Sequence, residues 1–561
     1  MKKYYNFLNQ KDLKFKIKKH YNKNQYSKLI KIIDNLKDHT NLPPELLLIY
    51  ANSLFLNPKS KINDFRKSTA LFEKLFYLDN SNLPVLYTLI KVGIRAKEFN
   101  LLKKILIEEN KKYKDNPKII EGLSKVEFFL GNLLEAGKYY CELTKIVPEI
   151  KDFWLKYLAN NHYHGSLSQK EYLDCCKKFD ELPKIKSNIP NKISIKKKKI
   201  KIGFFSPDFR THSVSFFLKN ILKKFDHDTF EIFAFSNLKN HLYDNFTTEF
   251  KKIFTEWIDV SDISDEMFIN LSKKHKIDIM FDLAGFTKGN RVNVFRARCA
   301  PIQISWLGYC NSLGIKNMDY LIADPFLIHS NEEQNYTEKV VRLPKIWCSF
   351  GSFNDPPDID FQSFEHRKFT YGSLNNFQKI SNQTIELWSQ IINSTNSNLI
   401  LKSSINENEN LKNNLLEKFK KFNVNQNKIK IFDRTVSQKK HLHYFNKFNI
   451  SLDTFPYPGV TTSFESVFMG RPVLTMMGDN FNSRCGVSIN KNLGLSNLIS
   501  RNKDDYLKKA INFHDNPDQL MKISKNLRLR ALASPLFDVN SLYDELSLVL
   551  KKIYNDNLII S

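Results

Sequence analysis

The sequence contains no long hydrophobic run and no cysteine motif. A membrane-spanning helix needs about 18 or more consecutive apolar residues, and no such run occurs in the 561 residues. The amino terminus carries charges without an apolar stretch behind them, so neither export nor a membrane span is predicted. The seven cysteines form no Cys-x-x-Cys pair and no cluster with metal-ligand spacing. These absences predict a cytoplasmic protein with reduced thiols.

The sequence also lacks two signatures of phosphate binding. Gly-x-x-x-x-Gly-Lys-[Ser/Thr] is absent, so a P-loop hydrolase is not predicted. The net charge is +27, but arginine, which binds phosphates and base edges bidentately, is a minority of the 86 basic residues. Lysine is spread over every segment, which is typical of solvated surfaces. No nucleic-acid partner is therefore predicted.

Residues 1–165 show helical apolar patterns and no convincing strand. Patterns such as Ala70-Leu-Phe-Glu-Lys-Leu-Phe and Leu101-Leu-Lys-Lys-Ile-Leu-Ile recur at roughly the helix-pair period of tetratricopeptide repeats. Most end in a turn such as Asn116-Pro117. A degenerate tetratricopeptide-like repeat domain is predicted, with a plain helical bundle as the alternative. Either form offers a surface for a partner and no chemistry.

The period changes after a predicted linker at 166–198, which contains several prolines and the lysine run Lys196–Lys199. Short apolar strands then alternate with helical segments, which favours parallel sheets covered by helices. A polar stretch near Asp355 divides this part in two. We predict one Rossmann-like lobe over 199–354 and a second over 365–561, ending in closing helices. Such paired lobes bind nucleotides between them.

The most informative stretch is Asn449–Met476, which reads as a strand, a Pro-Tyr-Pro-Gly turn, a helix starting near Thr462 and a second strand. Free N–H groups at such a helix start bind anions, so Thr461 and Thr462 are predicted to hold phosphate. Glu465, one turn further, could accept both hydroxyls of a ribose. The alternative is a capping box formed by Thr462 and Glu465, with no ligand.

Other candidates follow strands of the two predicted sheets. His212 lies at a strand-to-helix turn, where the helix dipole favours the neutral ring; its alternative is a cap. Asp282 and Thr287 follow another strand and are candidate contacts to acceptor or sugar. The alternative for Asp282 is that it only caps its loop. Lys379 lies beside a helix start that Ser381 can cap, and could neutralise a diphosphate. The alternative for His441 is an exposed polar face.

The joint order of seven motifs resembles the catalytic region of the O-linked N-acetylglucosamine transferase and SPINDLY family. The likeness spans residues 199–545 and includes the Asn449–Met476 stretch. The other motifs are Ser206-Pro-Asp-Phe-Arg-Thr-His212, Gly285-Phe-Thr-Lys-Gly289, Ala300-Pro-Ile-Gln-Ile-Ser-Trp-Leu-Gly-Tyr309, Met318-Asp-Tyr-Leu-Ile-Ala-Asp324, Asn375-Asn-Phe-Gln-Lys379 and Ser534-Pro-Leu-Phe537.

The resemblance implies an α/β GT-B fold after helical repeats. It also implies an inverting, metal-independent transfer of N-acetylglucosamine from UDP-N-acetylglucosamine to Ser or Thr hydroxyls, without a cofactor. The protein acceptor would bind through the helical repeats. By position, His212 and Lys379 match the catalytic histidine and the diphosphate-binding lysine. The matches to the donor site are Asn376, His441, Thr461, Thr462 and Glu465.

Three departures from the family pattern leave the donor open. Val460 replaces a histidine before the two threonines, Gln438 replaces a base-contacting lysine, and Tyr444 stands where an arginine is expected. The Thr-Thr-x-x-Glu-Ser pattern is nearer to the plant SPINDLY form, whose donor is GDP-fucose. The alternatives are therefore a GDP-fucose protein O-fucosyltransferase and a non-catalytic scaffold of repeats and GT-B lobes.

Overall fold

A computed structural model describes residues 2–36, 42–353, 355–362, 368–402, 409–435 and 437–559. The predicted lobe boundaries at 354 and 365 lie outside these residues. The chain forms two compact units, one ending at Val147 and the other beginning at Pro148. Among the helices of the described residues, none combines the length and apolar content that a bilayer crossing requires.

The first unit is built from helices that pack against their neighbours in sequence. Asn82 and Asn116 cap two of them through backbone N–H groups of the first turn, and Pro117 opens the helix that follows Asn116. The predicted helical repeat region is confirmed. Its helices are α1 Lys2–Asn22, α2 Tyr26–Asp34, α3 Pro44–Leu56, α4 Ile62–Leu78, α5 Leu83–Ala96, α6 Phe99–Lys112, α7 Pro117–Phe129 and α8 Leu133–Ile146.

The second unit begins with two helices, α9 Lys151–His164 and α10 Gln169–Glu181. Helix α10 lies within the segment predicted as a linker, and α9 lies within the predicted repeat domain. A capping box between Ser168 and Glu171 starts α10. The buried guanidinium of Arg296 then donates to the carbonyls of Phe179 and Leu182, at 2.8 and 2.7 Å. These contacts attach the end of α10 to the helix Val292–Ala297 of the same unit, so α10 is not a free connector.

The first lobe has a parallel sheet of seven strands in the order β3-β2-β1-β4-β5-β6-β7. Its inner strands are mostly apolar and almost completely buried, as in doubly wound sheets with helices on both faces. The elements are β1 Ile200–Ser206, α11 Ser213–Leu222, β2 Phe230–Ser236, α12 Asn245–Ile253, β3 Glu256–Asp259, α13 Asp265–His275, β4 Ile279–Asp282, α14 Val292–Ala297, β5 Ile302–Ser305, β6 Tyr320–Ala323 and β7 Lys339–Arg342.

The second lobe has a parallel sheet in the order β10-β9-β8-β11-β12-β13. The predicted pair of Rossmann-like lobes is thus confirmed. The elements are β8 Thr370–Ser373, α15 Asn382–Thr395, β9 Asn398–Lys402, α16 Glu409–Lys420, β10 Ile429–Phe432, α17 Gln438–His443, β11 Ile450–Leu452, α18 Thr461–Phe468, β12 Val473–Met476, α19 Cys485–Asn492, β13 Ile499–Ser500, α20 Lys503–Asp515 and α21 Pro517–Leu532.

The last helix, α22 Val539–Asp556, returns to the first lobe. Leu542, Leu546 and Leu550 lie in one hydrophobic core with β1 and α11. The second lobe was predicted to include all residues up to 561, but this helix buries its apolar face on the opposite lobe. Helix α11 of the first lobe also contacts helix α18 of the second. There the rings of Phe217 and Phe464 pack edge to face, with 5.1 Å between their centroids.

Candidate active site

The carboxyl ends of β8 and β11 are the centre of the site. The two strands are neighbours, and β8 also pairs with β9 on its other side. From β8 the chain continues to β9 and β10 on one side, and from β11 it continues to β12 and β13 on the other side. Open α/β sheets bind ligands in the crevice that forms at such a reversal. The segments Leu374–Lys379 and Asp453–Val460 emerge side by side there.

Asp453 organises the turn after β11. Its buried carboxylate accepts hydrogen bonds from the Gly459 N–H at 2.7 Å, the Asn375 amide at 3.1 Å and the Thr475 hydroxyl at 2.9 Å. Burial raises the pKa of Asp453 to about 6, although these donors and the ammonium of Lys379 oppose the shift. Gly459 is required here because a Cβ would lie 2.5 Å from the Asn375 side-chain oxygen.

Helix α18 starts at Thr461, one residue earlier than predicted. Val460 is its N-cap and provides no side-chain cap, and its carbonyl accepts from the N–H groups of Ser463 and Phe464. The backbone N–H and hydroxyl groups of Thr461 and Thr462 make no hydrogen bond to any residue that the structure describes. The alternative of a Thr462–Glu465 capping box is wrong, because Thr462 lies inside the first turn. The donors required by the predicted phosphate site are thus unoccupied by other protein groups.

Lys379 contacts the turn between β11 and α18. It ends a short 3-10 turn that Asn376 starts by accepting from the Gln378 N–H at 3.2 Å. The Lys379 ammonium donates to the Pro458 carbonyl at 2.8 Å and lies 3.7 Å from the centroid of the Tyr457 ring. Burial lowers the pKa of Lys379 to about 8, and the charge of Asp453 opposes that shift.

The segment after Lys379 is arranged as predicted. Ser381 caps α15, accepting from the Thr384 N–H at 3.1 Å, and its hydroxyl also donates to the Phe455 carbonyl. This cap confirms the prediction for Ser381. It also holds the start of α15 against the turn that follows β11.

His441 and Glu465, predicted separately as donor contacts, are hydrogen-bonded to each other. His441 Nε2 lies 3.0 Å from a Glu465 carboxylate oxygen. On the other side of the ring, Nδ1 lies 2.7 Å from the ammonium of Lys402, the last residue of β9. Glu465 and Lys402 are each 6% exposed. The exposed polar face suggested as the alternative for His441 is therefore not what the structure shows.

His212 caps helix α11 at the end of the first sheet. Its Nδ1 lies 3.4 Å from the Val214 N–H and 3.7 Å from an Asp208 carboxylate oxygen. Burial lowers the pKa of His212, and the Asp208 charge opposes this shift. The ring is therefore neutral near pH 7.

Asp282 and Thr287 use their polar groups within their own turn. Asp282 accepts from the N–H groups of Ala284 at 2.9 Å and Gly285 at 3.1 Å, and the Thr287 hydroxyl donates to the Ala284 carbonyl at 2.7 Å. Burial raises the pKa of Asp282 to about 6. The loop-capping alternative for Asp282 is what the structure shows. A contact of either residue with acceptor or sugar stays a prediction.

The end of helix α9 supports the turn after β11. The ring of Tyr163 lies 5.2 Å from that of Tyr457, between centroids. His162 is bonded to the Tyr309 hydroxyl at 2.5 Å, and burial lowers the pKa of His162 to about 3, which keeps the ring neutral. Gly165 has a φ of +57°, and a Cβ there would lie 2.9 Å from a Pro456 carbon.

Four residues of this site were missed by the sequence analysis: Asn375, Lys402, Arg434 and Asp453. Asp453 follows a strand in a quoted motif, so its position was a usable signal. Lys402 and Arg434 had none, because basic residues are abundant in this chain. The charge of Arg434 lowers the pKa of both His212 and Lys402, which indicates that His212 and the donor-site residues share one electrostatic environment. Within the described residues, no group of His, Cys, Asp or Glu is arranged to hold a metal.

Comparison with known proteins places these features in context. The chain is 31% identical over 343 residues to the probable UDP-N-acetylglucosamine–peptide N-acetylglucosaminyltransferase SPINDLY of Solanum lycopersicum, covering 60% of this chain and 37% of that protein. The probable UDP-N-acetylglucosamine–peptide N-acetylglucosaminyltransferase SEC of Arabidopsis thaliana is 26% identical over 362 residues, with 61% and 36% covered. This chain thus spans little more than a third of these relatives.

A solved structure has the same fold. The O-GlcNAc transferase of Thermobaculum terrenum, in a mutant form, matches with a TM-score of 0.75 and 21% identity, covering 93% of this chain and 99% of that one. The model of glycosyl transferase family 41 matches residues 150–352 and 363–546, which include α9, α10 and both lobes. The chain belongs to glycosyl transferase family 41.

Proposed function

We propose that this chain is a protein O-glycosyltransferase that transfers N-acetylglucosamine from UDP-N-acetylglucosamine to Ser or Thr hydroxyls of a protein. The observation that carries the proposal is the convergence of the Lys379 ammonium with the free donors of Thr461 and Thr462 at the sheet crevice. The relatives are each named as a probable UDP-N-acetylglucosamine–peptide N-acetylglucosaminyltransferase, and these names support the same reaction class.

The diphosphate of the donor binds at the start of α18. Backbone N–H groups and hydroxyls of Thr461 and Thr462 bind its oxygens, and Lys379 neutralises the charge that grows as the sugar departs. Glu465, bonded to His441, binds the ribose hydroxyls. Fixed cationic and dipolar groups supply the charge stabilisation, so the proposed transfer needs no metal.

His212 lies on the acceptor side of the proposed reaction. A neutral ring can take the hydroxyl proton through an unprotonated nitrogen, or it can orient the hydroxyl while the proton leaves to a donor phosphate oxygen. The acceptor oxygen attacks the anomeric carbon from the face opposite the diphosphate, so the configuration at that carbon inverts. The α-linked donor then gives a β-linked product. The helical repeats bind the protein acceptor.

Thermal unfolding of the whole protein with UDP and with GDP tests the proposed donor. A ligand at about 100 times its dissociation constant stabilises the folded state by about 2.7 kcal/mol, and we expect the larger shift with UDP. A clear preference for GDP would instead support the fucosyltransferase alternative, because the diphosphate contacts serve either nucleotide. No shift with either nucleotide would favour the non-catalytic scaffold.

Matched variants keep this test specific. Replacing Thr461 and Thr462 together by valine should abolish the shift, because both hydroxyls are lost and the methyl groups crowd the phosphate position. Thr248→Val, on the exposed face of α12, should leave it unchanged. The transfer itself is checked with labelled UDP-N-acetylglucosamine and an acceptor protein in the presence of EDTA, and the anomeric proton coupling of the product reports the linkage.

A further inference from the structure

Lys402 is a buried cation that the proposed mechanism has not used. It ends β9, is 6% exposed, and its ammonium lies 2.7 Å from His441 Nδ1. The same ammonium lies 5.4 Å from the centroid of the Tyr444 ring. His441 Nε2 lies 3.0 Å from Glu465. Lys402, His441 and Glu465 therefore form a continuous chain of side chains from β9 to α18.

The ammonium at one end of this chain fixes the protons along it. A lysine ammonium has donors and no acceptor, so His441 Nδ1 must be the accepting, unprotonated nitrogen. The neutral ring then carries its proton on Nε2, which donates to the Glu465 carboxylate. This is the only neutral tautomer compatible with both contacts. The imidazole consequently presents Glu465 with a donor and fixes the orientation of its carboxylate.

The same cation offsets part of the cost of burying the Glu465 carboxylate. A carboxylate with little exposure is costly unless charge and hydrogen bonds compensate it. Burial lowers the pKa of Lys402, and the charge of Glu465 acts against that shift, so the two groups are within electrostatic reach of each other. The Glu465 carboxylate uses one oxygen for His441 and has further lone pairs for a ligand.

We infer that Lys402 is a positioning residue which, through His441, keeps the Glu465 carboxylate oriented to accept two ribose hydroxyls at once. The inference rests on the proposed nucleotide-binding function and adds a specificity to it. The site should discriminate a ribonucleoside diphosphate from its 2′-deoxy form, whichever base is bound, because the deoxy form leaves a carboxylate lone pair without its donor.

The experiment measures dissociation constants of UDP, 2′-deoxy-UDP, GDP and 2′-deoxy-GDP for the whole protein. In the wild type, we expect the ribo form of the preferred base to bind about 10 to 100 times more tightly than its deoxy form, as for a hydrogen bond to a charged group. Lys402→Met, similar in length but uncharged, should reduce that ratio at least about fivefold. Lys402→Arg should restore most of it.

Two controls separate positioning from general damage. Lys430→Met, an exposed lysine on the neighbouring strand β10, should keep the wild-type ratio. Histidine-selective ¹⁵N spectra of the unliganded wild type, assigned with His441→Gln, should show His441 protonated at Nε2 and not at Nδ1. This second measurement needs no Lys402 variant, so it applies even where Lys402→Met does not fold.

The outcomes are distinguishable. A folded Lys402→Met protein with the wild-type ribo-to-deoxy ratio would overturn the role of Lys402 while leaving the proposed function intact. Protonation of His441 at Nδ1 in the wild type would overturn it as well. Failure of the wild type to bind any of the four nucleotides would instead contradict the proposed function on which the inference rests.

Discussion

At the scale of single residues, Lys379 combines a charge with a burial that makes the charge sensitive to pH. Its ammonium is the form that stabilises a departing diphosphate, and burial lowers its pKa to about 8. In the free enzyme, the ammonium is lost as the pH rises through that value. We expect kcat/KM to fall above about pH 8, which a pH profile with saturating acceptor measures. Lys379→Arg should remove that fall, because a guanidinium stays charged.

The catalytic weight of Lys379 is tested by its removal. Lys379→Ala should raise the barrier by about 2–4 kcal/mol, as for other lost electrostatic donors, while weakening donor binding much less. Steady-state and binding measurements together separate kcat from affinity. Lys421→Ala, an exposed lysine after α16, serves as the matched control. Normal turnover of Lys379→Ala would remove this residue from the site.

His212 has two roles that different substitutions can separate. Asparagine can cap a helix but cannot act as a base, whereas alanine can do neither. We expect His212→Asn and His212→Ala both to abolish transfer, with only the alanine variant losing up to about 1 kcal/mol of stability. Activity assays and thermal unfolding measure the two effects. An unaltered transfer rate in either variant would contradict both roles proposed for the ring.

At the scale of elements, the turn Asp453–Val460 depends on one carboxylate. Asp453→Ala leaves the Gly459 N–H and the Thr475 hydroxyl without their acceptor, which should cost about 1–3 kcal/mol of stability and weaken nucleotide binding. Asp453→Asn keeps an acceptor but removes the charge that supports the Lys379 ammonium. Its kcat/KM should therefore begin to fall at lower pH than in the wild type. An unshifted profile would show that the two charges act independently.

The elements that the sequence predicted are those whose own residues carry the signal. Strand β1, Ile200–Ser206, is one of the short apolar strands that the sequence predicts, because a strand buried on both faces is a nearly continuous apolar run. The edge strands β3 and β7 are not apolar runs of this kind, since Glu256–Asp259 and Lys339–Arg342 each begin and end in a charged residue and have one buried position. Their pairing partners, and not their composition, make them strands.

The residues of the site also divide into those that local sequence patterns predict and those that they do not. His212, Lys379, Thr461 and Glu465 stand in motifs at strand ends, so their positions follow from local patterns. Lys402 is buried by residues distant in the chain, and its bond to His441 joins β9 to α17. In a sequence with 86 basic residues, nothing local distinguishes this lysine from its solvated neighbours. Only the packing of the lobe reveals it.

At the scale of the whole molecule, the boundary between the units determines which fragments should fold. A fragment beginning at Pro148 keeps α9 and α10 and should bind nucleotide as the whole protein does, while modifying protein acceptors less selectively. A fragment beginning at residue 166 loses α9, whose Trp154 and Leu158 are buried with residues of the first lobe. We expect it to be less stable by several kcal/mol, at about 2–5 for each large core side chain removed.

Expression of both fragments, followed by thermal unfolding and nucleotide titration, checks this boundary. Equal stability of the two would show that α9 contributes nothing to the catalytic unit. Loss of nucleotide binding by the longer fragment would show that the second unit is not sufficient for the donor site.

The packing of α9 against the turn after β11 has a genetic consequence. Lys379 is held by the Pro458 carbonyl and the Tyr457 ring, and the same turn lies against the end of α9 at Tyr163 and Gly165. A mutation that loosens this turn can therefore be compensated at Tyr163 or beside Gly165. A selection for second-site suppressors of a destabilising Pro456 substitution should return changes in α9. Among related sequences, the residues of the two segments should vary together.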